Sequence, residues 1–247
     1  MTDEVDEVVD NDQLVLISGE SGTGKSASLM NIRDQADWLY LGTEAGKRLP
    51  FRNKLQNFRI SDPYQVEEGF DYGIASPEVK GIIVDSLTFM MDMYETQYVL
   101  GAANTMAGWG NFQQFFKSLM QQKVVEFGRP VIFTAHTRSD LNEKTAEMVT
   151  SVPIKGALRG NGIESYFSTV VSTKKMALKD LKGYENDLLN ITEEDELVGY
   201  KHVFQTRITK NTTGERIRSP MGLFTVAQTF IDNDAQLLLD HLHNYYK

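Results

Sequence analysis

Eight consecutive residues, Gly19-Glu20-Ser21-Gly22-Thr23-Gly24-Lys25-Ser26, place glycines, a lysine and a hydroxyl at the spacing GxxxxGK(S/T), the Walker A pattern. The chemistry this suits is the gripping of a polyphosphate. Glycines let the backbone curl so that successive N–H groups turn inward at phosphate oxygens. A helix beginning here, from Lys25 to about residue 33 and including Ala27, adds its N-terminal donors and the positive end of its dipole. Lys25 brings a mobile point charge toward the β- and γ-phosphates, and Ser26 a hydroxyl for Mg²⁺. The predicted nucleotide contacts are therefore Gly19, Glu20, Ser21, Gly22, Thr23, Gly24, Lys25, Ser26 and Ala27. At average residue frequencies the fixed positions recur by chance in about 1% of chains of this length. The competing reading is a glycine-rich turn with a coincidental lysine.

Three other polar residues close apolar runs. Asp85 ends GIIVD, a Walker B arrangement, where a carboxylate can hold Mg²⁺ through its water shell with Ser86 assisting. A helix N-cap is the alternative use of Asp85 or Ser86. Glu44 ends WLYLGTE and could orient or deprotonate an attacking water, with Glu20 as a second candidate and a surface-loop glutamate as the alternative. His136 ends VIFTAH and could donate to a γ-phosphate, sensing its loss, or serve structure alone. The expected catalytic set is Lys25, Glu44, Asp85 and His136; the metal pair is Ser26 and Asp85. His202, His241 and His243 lack such positions and are expected to be ordinary.

These groups need elements to gather them. Apolar runs predict strands over 13–18, 38–42, 81–84 and 131–135, with 58–60 a further candidate and two later strands over 166–173 and 202–209. Phe112, Phe115, Phe116, Leu119, Met120, Val124 and Phe127 recur at helical spacing, and Gly128 and Pro130 end that helix. A last helix is predicted over 234–246, and polar loop chemistry over 137–162. Alternating strands and helices predict an α/β fold with a mainly parallel sheet flanked by helices and antiparallel strands at one edge. Ligands of such sheets sit beyond the carboxyl ends of the strands. One domain over 13–247 is expected, with residues 179–199 as an acidic insertion or long hairpin.

Composition narrows the function classes. The net charge is −9, and Asp3, Glu4, Asp6, Glu7, Asp10 and Asp12 supply most of the excess from an acidic N-terminal tail over 1–12. The tail reads as a solubilising arm or as a competitor for a basic groove. A non-specific duplex-DNA coat would be basic, so nucleic acid would have to meet a local patch. Residues 153–162 carry Lys155 and Arg159 without an acid, and Arg207, Lys210, Arg216 and Arg218 form a second basic island. Tyr166 and Phe167 read as core residues rather than base platforms. Cysteine is absent, which excludes disulfides and thiolate metal sites and fits a reducing, cytoplasmic compartment. No run approaches the roughly 20 apolar residues of a membrane span, and the acidic start is no secretory signal.

Over roughly residues 13–230 the pattern resembles the RecA/RadA superfamily of recombination ATPases. It is most similar to the short RecA-like ATPases of bacteriophages, which assist single-strand annealing and recombination. The resemblance implies a RecA-like P-loop core using ATP and Mg²⁺. Glu44 in LGTEAGKRL stands at that family's glutamate and His136 in FTAHT at its polar sensor. The mobile DNA-binding loop falls on 137–162, with Lys155 and Arg159 as its contacts to single-stranded DNA. A Lys- or Arg-bearing motif reaching a neighbouring subunit's nucleotide falls near Lys210, Arg216 and Arg218, without a clean match that chooses among them. A homo-oligomer, ring or filament, is thereby implied, as are phage or host replication and recombination partners and residence in the host cytoplasm. Two other readings stay open. One is an ATP-binding switch or loader docking on another protein through the tail and the 179–199 segment. The other is a small-molecule kinase, for which an arginine-rich lid is wanting.

Overall fold

Strands buried on both faces read as near-continuous apolar runs, and such runs build the centre of one eight-stranded sheet here. The computed structural model describes residues 11–44, 46–143, 146–154, 156–159 and 162–247, apart from the side chains of residues 157 and 159. Residues 1–10 of the expected acidic tail over 1–12, and Lys155, lie outside the described residues.

In chain order the elements begin with β1 (Leu14–Gly19), β2 (Trp38–Gly42) and β3 (Gln56–Arg59). Helix α1 (Tyr64–Ala75), β4 (Gly81–Asp85), α2 (Leu87–Tyr94) and α3 (Thr105–Ser118) follow. The chain passes through a π-helical turn (Leu119–Lys123) into α4 (Val124–Phe127) and then β5 (Val131–His136). A hairpin of β6 (Arg138–Asn142) and β7 (Glu147–Ser151) precedes β8 (Thr169–Ala177), α5 (Leu178–Leu181) and α6 (Glu193–Val198). The chain closes with β9 (Tyr200–Gln205), β10 (Phe230–Asp232) and α7 (Ala235–Tyr246). The sheet order is β10-β9-β8-β1-β5-β4-β2-β3, with β6 and β7 forming a separate pair. Strands β8, β1, β5, β4, β2 and β3 run parallel, and β9 and β10 extend the β8 side antiparallel.

Register, more than any single contact, gathers the chemistry. Gly19 pairs with His136 across β1 and β5, and Gly42 pairs with Asp85 across β2 and β4. The four parallel strands therefore end together, and whatever follows each of them shares one rim of the sheet. Along them the two-residue period sends alternate side chains to opposite faces. Leu14, Leu16, Leu39, Leu41, Ile82, Val84 and Phe133 pack against α1 to α4, while Val15, Ile17, Ile83, Ile132 and Val171 pack against Leu29, Ile32 and the Leu238, Leu239 and Leu242 face of α7.

Several elements depart from expectation. The turn after the glycines is a 3-10 helix over Ala27–Asn31 rather than an α-helix to residue 33. Ser28 Oγ donates to Lys25 O (2.6 Å), and α7 takes over the end of the turn, with Asn31 bonding Asp234 and the Arg33 N–H bonding Gln236. Helix α1 carries glycines that weaken its sequence signal. Packing needs them: a Cβ at Gly69 would stand 2.8 Å from Leu41 Cδ1, and one at Gly73 3.0 Å from Ile82 Cδ1. The expected polar loop over 137–162 contains the β6–β7 hairpin, whose residues are mostly exposed. Strand β8 starts at Thr169 rather than 166, because Ile163–Tyr166 make a 3-10 turn that seats Tyr166 against Phe116. Strand β9 stops at Gln205; beyond it Thr209 and Thr212 close a side-chain turn. Residues 179–199 lie between the antiparallel β8 and β9 and hold α6, whose start Thr192 and Asp195 cap reciprocally.

Candidate nucleotide-binding site

Beyond β1 the chain turns through Gly22 (φ +78°) and Gly24 (φ +106°), conformations a side chain resists. Space reinforces dihedral at Gly24, where a Cβ would fall 2.7 Å from Asn233 Nδ2. Thr23 Oγ1 donates to Glu20 O (2.8 Å) and meets Thr173 Oγ1 at 2.5 Å, which ties the loop to β8. Lys25 is buried, and its Nζ donates to Gly19 O (2.9 Å) and Glu20 O (2.7 Å). Burial pulls its pKa down to about 8, against the pull of the Asp85 and Glu44 carboxylates. Ser21, Gly22, Gly24, Lys25, Ser26 and Ala27 line a cleft of about 390 Å³. Of the other expected contacts, Gly19 and Thr23 form the frame of the loop, and Glu20 is exposed.

Asp85 lies at the floor of this cleft. Its Oδ2 accepts from Ser26 Oγ (2.9 Å) and Tyr40 OH (2.8 Å), and its Oδ1 accepts from the Thr134 hydroxyl. Burial, then the Asp85 charge, raises the Tyr40 phenol, so it stays a donor. Neither Tyr40 nor Thr134 was among the residues expected from sequence. Thr134 left a signal, a lone polar residue inside VIFTAH; Tyr40 left none, since a tyrosine in a strand is ordinary. Thr43 Oγ1 donates to Ser86 O (2.7 Å) and accepts from Ser86 N (2.8 Å), pinning the ends of β2 and β4 together. A hydroxyl and a carboxylate oxygen in contact are hard donors suited to Mg²⁺. Among the described residues no cluster of three or more His, Cys, Asp or Glu could hold a metal ion. A cation here would draw the rest of its oxygens from phosphate and water, as Mg²⁺ does in phosphoryl-transfer sites. Ser26 and Asp85 fit that ion.

Glu44 and His136 meet over the same cleft. His136 Nε2 lies 3.2 Å from Glu44 Oε1, and Lys47 Nζ donates to Glu44 Oε2 at 2.5 Å. Burial pushes the Glu44 carboxyl up, but the bonds from Lys47 and His136 outweigh it and hold the group below its ordinary range. Because the carboxylate only accepts, the proton of this contact sits on His136 Nε2. The His136 backbone N–H donates to Thr88 Oγ1 (2.9 Å), and its ring meets Phe89 edge-on.

The remaining predicted residues are placed elsewhere. Lys210 is exposed; Arg216 Nη1 bonds Glu164 Oε2 (3.2 Å), and Arg218 Nη1 donates to Ser165 O (3.3 Å). None of the three lines the cleft of the chain that carries it. Arg159 ends a short 3-10 turn (Gly156–Arg159), and its side chain is outside the described residues. His241 bonds Leu223 O and stacks on Phe224, as an ordinary histidine would. His202 is not ordinary. It lines the cleft, with Nδ1 2.8 Å from Thr23 O, because β9 runs antiparallel to β8 and pairs His202 with Lys175, near the rim where β8 ends. Asn233, just after β10, donates from Nδ2 to Gly24 O (2.9 Å). Lys47 and Arg48 also line the cleft and were not expected there.

A parallel sheet with a phosphate loop after its first strand, and a carboxylate at the end of β4 bonded to the loop's hydroxyl, defines a P-loop nucleotide-binding protein. The chain belongs to an AAA domain family, whose sequence profile matches residues 11–214. This is an ATPase-type domain, to which nucleotide binding belongs. No curated protein matches the sequence. No described helix is long and apolar enough to cross a membrane.

Proposed function

We propose that the protein is a Mg²⁺-dependent ATPase of RecA-like type that works as a homo-oligomer on single-stranded DNA in recombination, annealing or repair. One observation carries the hydrolytic part: Lys25 and Ser26 after β1, Glu44 after β2, Asp85 at the end of β4 and His136 at the end of β5 line a single cleft. The amides of the glycine loop and Lys25 bind the triphosphate. Magnesium, when held by Ser26 and Asp85, supplies charge neutralisation at phosphate oxygens. Glu44, kept ionised by Lys47 and His136, orients the attacking water and accepts its proton. His136 donates from Nε2 and stands two residues before β6, so a change at its ring reaches the β6–β7 hairpin directly.

The oligomer and DNA parts of the proposal draw on different support. Arg216, Arg218 and Lys210 do not line their own chain's cleft, as expected of cations that serve a neighbour's. Arg138 opens the exposed hairpin, and Lys155 and Arg159 follow it in sequence on the segment assigned to DNA. Hydrolysis measured with and without single-stranded DNA, alongside the oligomer mass, tests the whole. DNA-stimulated turnover by an assembled species is expected, with stimulation lost in Lys155→Ala/Arg159→Ala. A flat DNA titration would overturn the DNA part alone. Mixing Lys25→Ala subunits with Arg216→Ala, Arg218→Ala or Lys210→Ala subunits should restore turnover for whichever cation acts in trans.

One observation favours a second reading, an ATP-driven switch or loader for another protein. Leu197 is 88% exposed on α6, a helix that opens on Glu193, Glu194, Asp195 and Glu196. A stable protein partner lost in Leu197→Asp, together with no DNA binding, would select it.

A further inference from the structure

The phosphate loop is held by two residues of the antiparallel edge that also line the cleft. His202 Nδ1 stands 2.8 Å from Thr23 O, and Asn233 Nδ2 donates to Gly24 O at 2.9 Å. A carbonyl only accepts, so Nδ1 carries the proton of the His202 contact. Asn233 Oδ1 is buried and finds no hydrogen-bond partner among the described residues, so the Nδ2 end alone engages the loop. The fit is close: a Cβ on Gly24 would fall 2.7 Å from Asn233 Nδ2 and 3.3 Å from His202 Nδ1.

We propose that His202 and Asn233 are positioning residues of the phosphate loop, fixing the carbonyls of Thr23 and Gly24 so that the N–H groups of Gly24 and Lys25 are aimed at phosphate. The argument is peptide geometry. In a planar trans peptide the C=O of one residue and the N–H of the next point in opposite directions. Holding Thr23 O therefore sets the direction of the Gly24 N–H, and holding Gly24 O sets that of the Lys25 N–H. Glycine leaves the Thr23–Gly24 peptide free to rotate, so the external clamp from His202 determines how far its N–H is preformed; Gly24 O is held from within the turn as well, accepting the Ser28 N–H at 2.9 Å, and Asn233 adds a second bond to that carbonyl. Both clamps come from the extension of the sheet beyond β8: His202 from β9, and Asn233 from the residue after β10, past the family match at residue 214. The antiparallel edge thereby acquires a role in phosphate binding.

The inference rests on the nucleotide-binding reading above, and its test separates the two. Full-length protein is titrated calorimetrically with Mg²⁺–ATP and, separately, with inorganic tripolyphosphate. Asn233→Asp keeps the shape but sets an oxygen against Gly24 O; His202→Ala removes the second donor. Each is expected to weaken ATP and tripolyphosphate by the same factor, up to about tenfold, the upper scale of one neutral hydrogen bond. His202→Asn, which returns an N–H near the Nδ1 position, should recover most of the affinity. A merely structural role would not give equal losses for both ligands and rescue by asparagine. Weakened ATP with unchanged tripolyphosphate would move the two residues to the nucleoside and overturn the proposal, as would unchanged affinity for both. Should Asn233→Asp lose its fold by circular dichroism, the His202→Ala and His202→Asn pair decides alone. Failure of the wild-type protein to take up either ligand would instead overturn the nucleotide-binding reading.

Discussion

Glu44 Oε1 and His136 Nε2 stand 3.2 Å apart, although β4 lies between the strands that carry them. The contact closes over Asp85, whose strand is the one between. It joins the residue suited to activating water to the residue that leads into the exposed hairpin.

Replacing Glu44 by Gln keeps the shape and removes the charge. Hydrolysis should fall by about 10²–10⁴-fold, the range for loss of a general base. Nucleotide affinity should stay near wild type, since Lys25, Ser26 and the loop amides are untouched. Single-turnover hydrolysis and an ATP titration separate the effects, and joint loss of both would place Glu44 in binding instead. His136→Ala should retain basal hydrolysis better than Glu44→Gln while losing the DNA stimulation proposed above.

Lys25 gives two pH dependences of opposite sign. Burial lowers its pKa from 10.5 to about 8 in the fold. As pH rises through about 8 the ammonium loses its proton, so affinity for the anionic triphosphate should fall. Between about 8 and 10.5 the unfolded chain holds the extra proton, so the stability of the ligand-free protein should rise across that window. Lys25→Met removes the titrating group. Both trends, in ATP affinity and in thermal midpoint, should be absent from the variant; their persistence would assign them to other groups.

The strands that carry the site are legible in the sequence because burial on both faces leaves continuous apolar runs such as LVLIS and GIIVD. Their polar ends are legible too, since chemistry at a strand end needs no knowledge of neighbours. What depends on pairing is hidden. Tyr40 reaches Asp85 only through the β2–β4 register, and His202 reaches Thr23 only because β9 runs antiparallel to β8. Helix α1 is masked by Gly69 and Gly73, whose lack of a side chain makes room for Leu41, Ile82 and Phe127. The hairpin of β6 and β7 is masked by exposure, because its few apolar residues, Leu141, Met148 and Val149, make no alternating run to detect.

Tyr40→Phe deletes one of the hydrogen bonds that orient Asp85 Oδ2 and leaves the ring in place. A bond to a charged acceptor contributes about 1.5–3 kcal/mol, part of which Ser26 and Thr134 can retain by keeping the carboxylate partnered. The fold should therefore lose only about 1 kcal/mol. The Mg²⁺ concentration for half-maximal hydrolysis should rise several-fold, because the carboxylate is less firmly aimed. A magnesium titration at saturating ATP reads this directly; an unchanged midpoint would assign the Tyr40 hydroxyl to stability only.

Glu164 joins the chain after β7 to the basic segment near Arg216, and the two bonds it makes are unequal. Its buried Oε1 accepts the Val152 N–H at 2.8 Å, while Oε2 receives Arg216 Nη1 at 3.2 Å from a guanidinium that is 40% exposed. Glu164→Gln keeps an oxygen for Val152 and gives up the ion pair, which solvent already screens, so the loss should be about 1 kcal/mol or less. Glu164→Ala also strands the buried Val152 N–H, and the desolvation cost of that donor brings the loss to about 2–4 kcal/mol. Urea denaturation of the two variants should rank alanine well below glutamine. Equal losses would mean that the Arg216 pairing, rather than the Val152 bond, anchors this segment to the sheet.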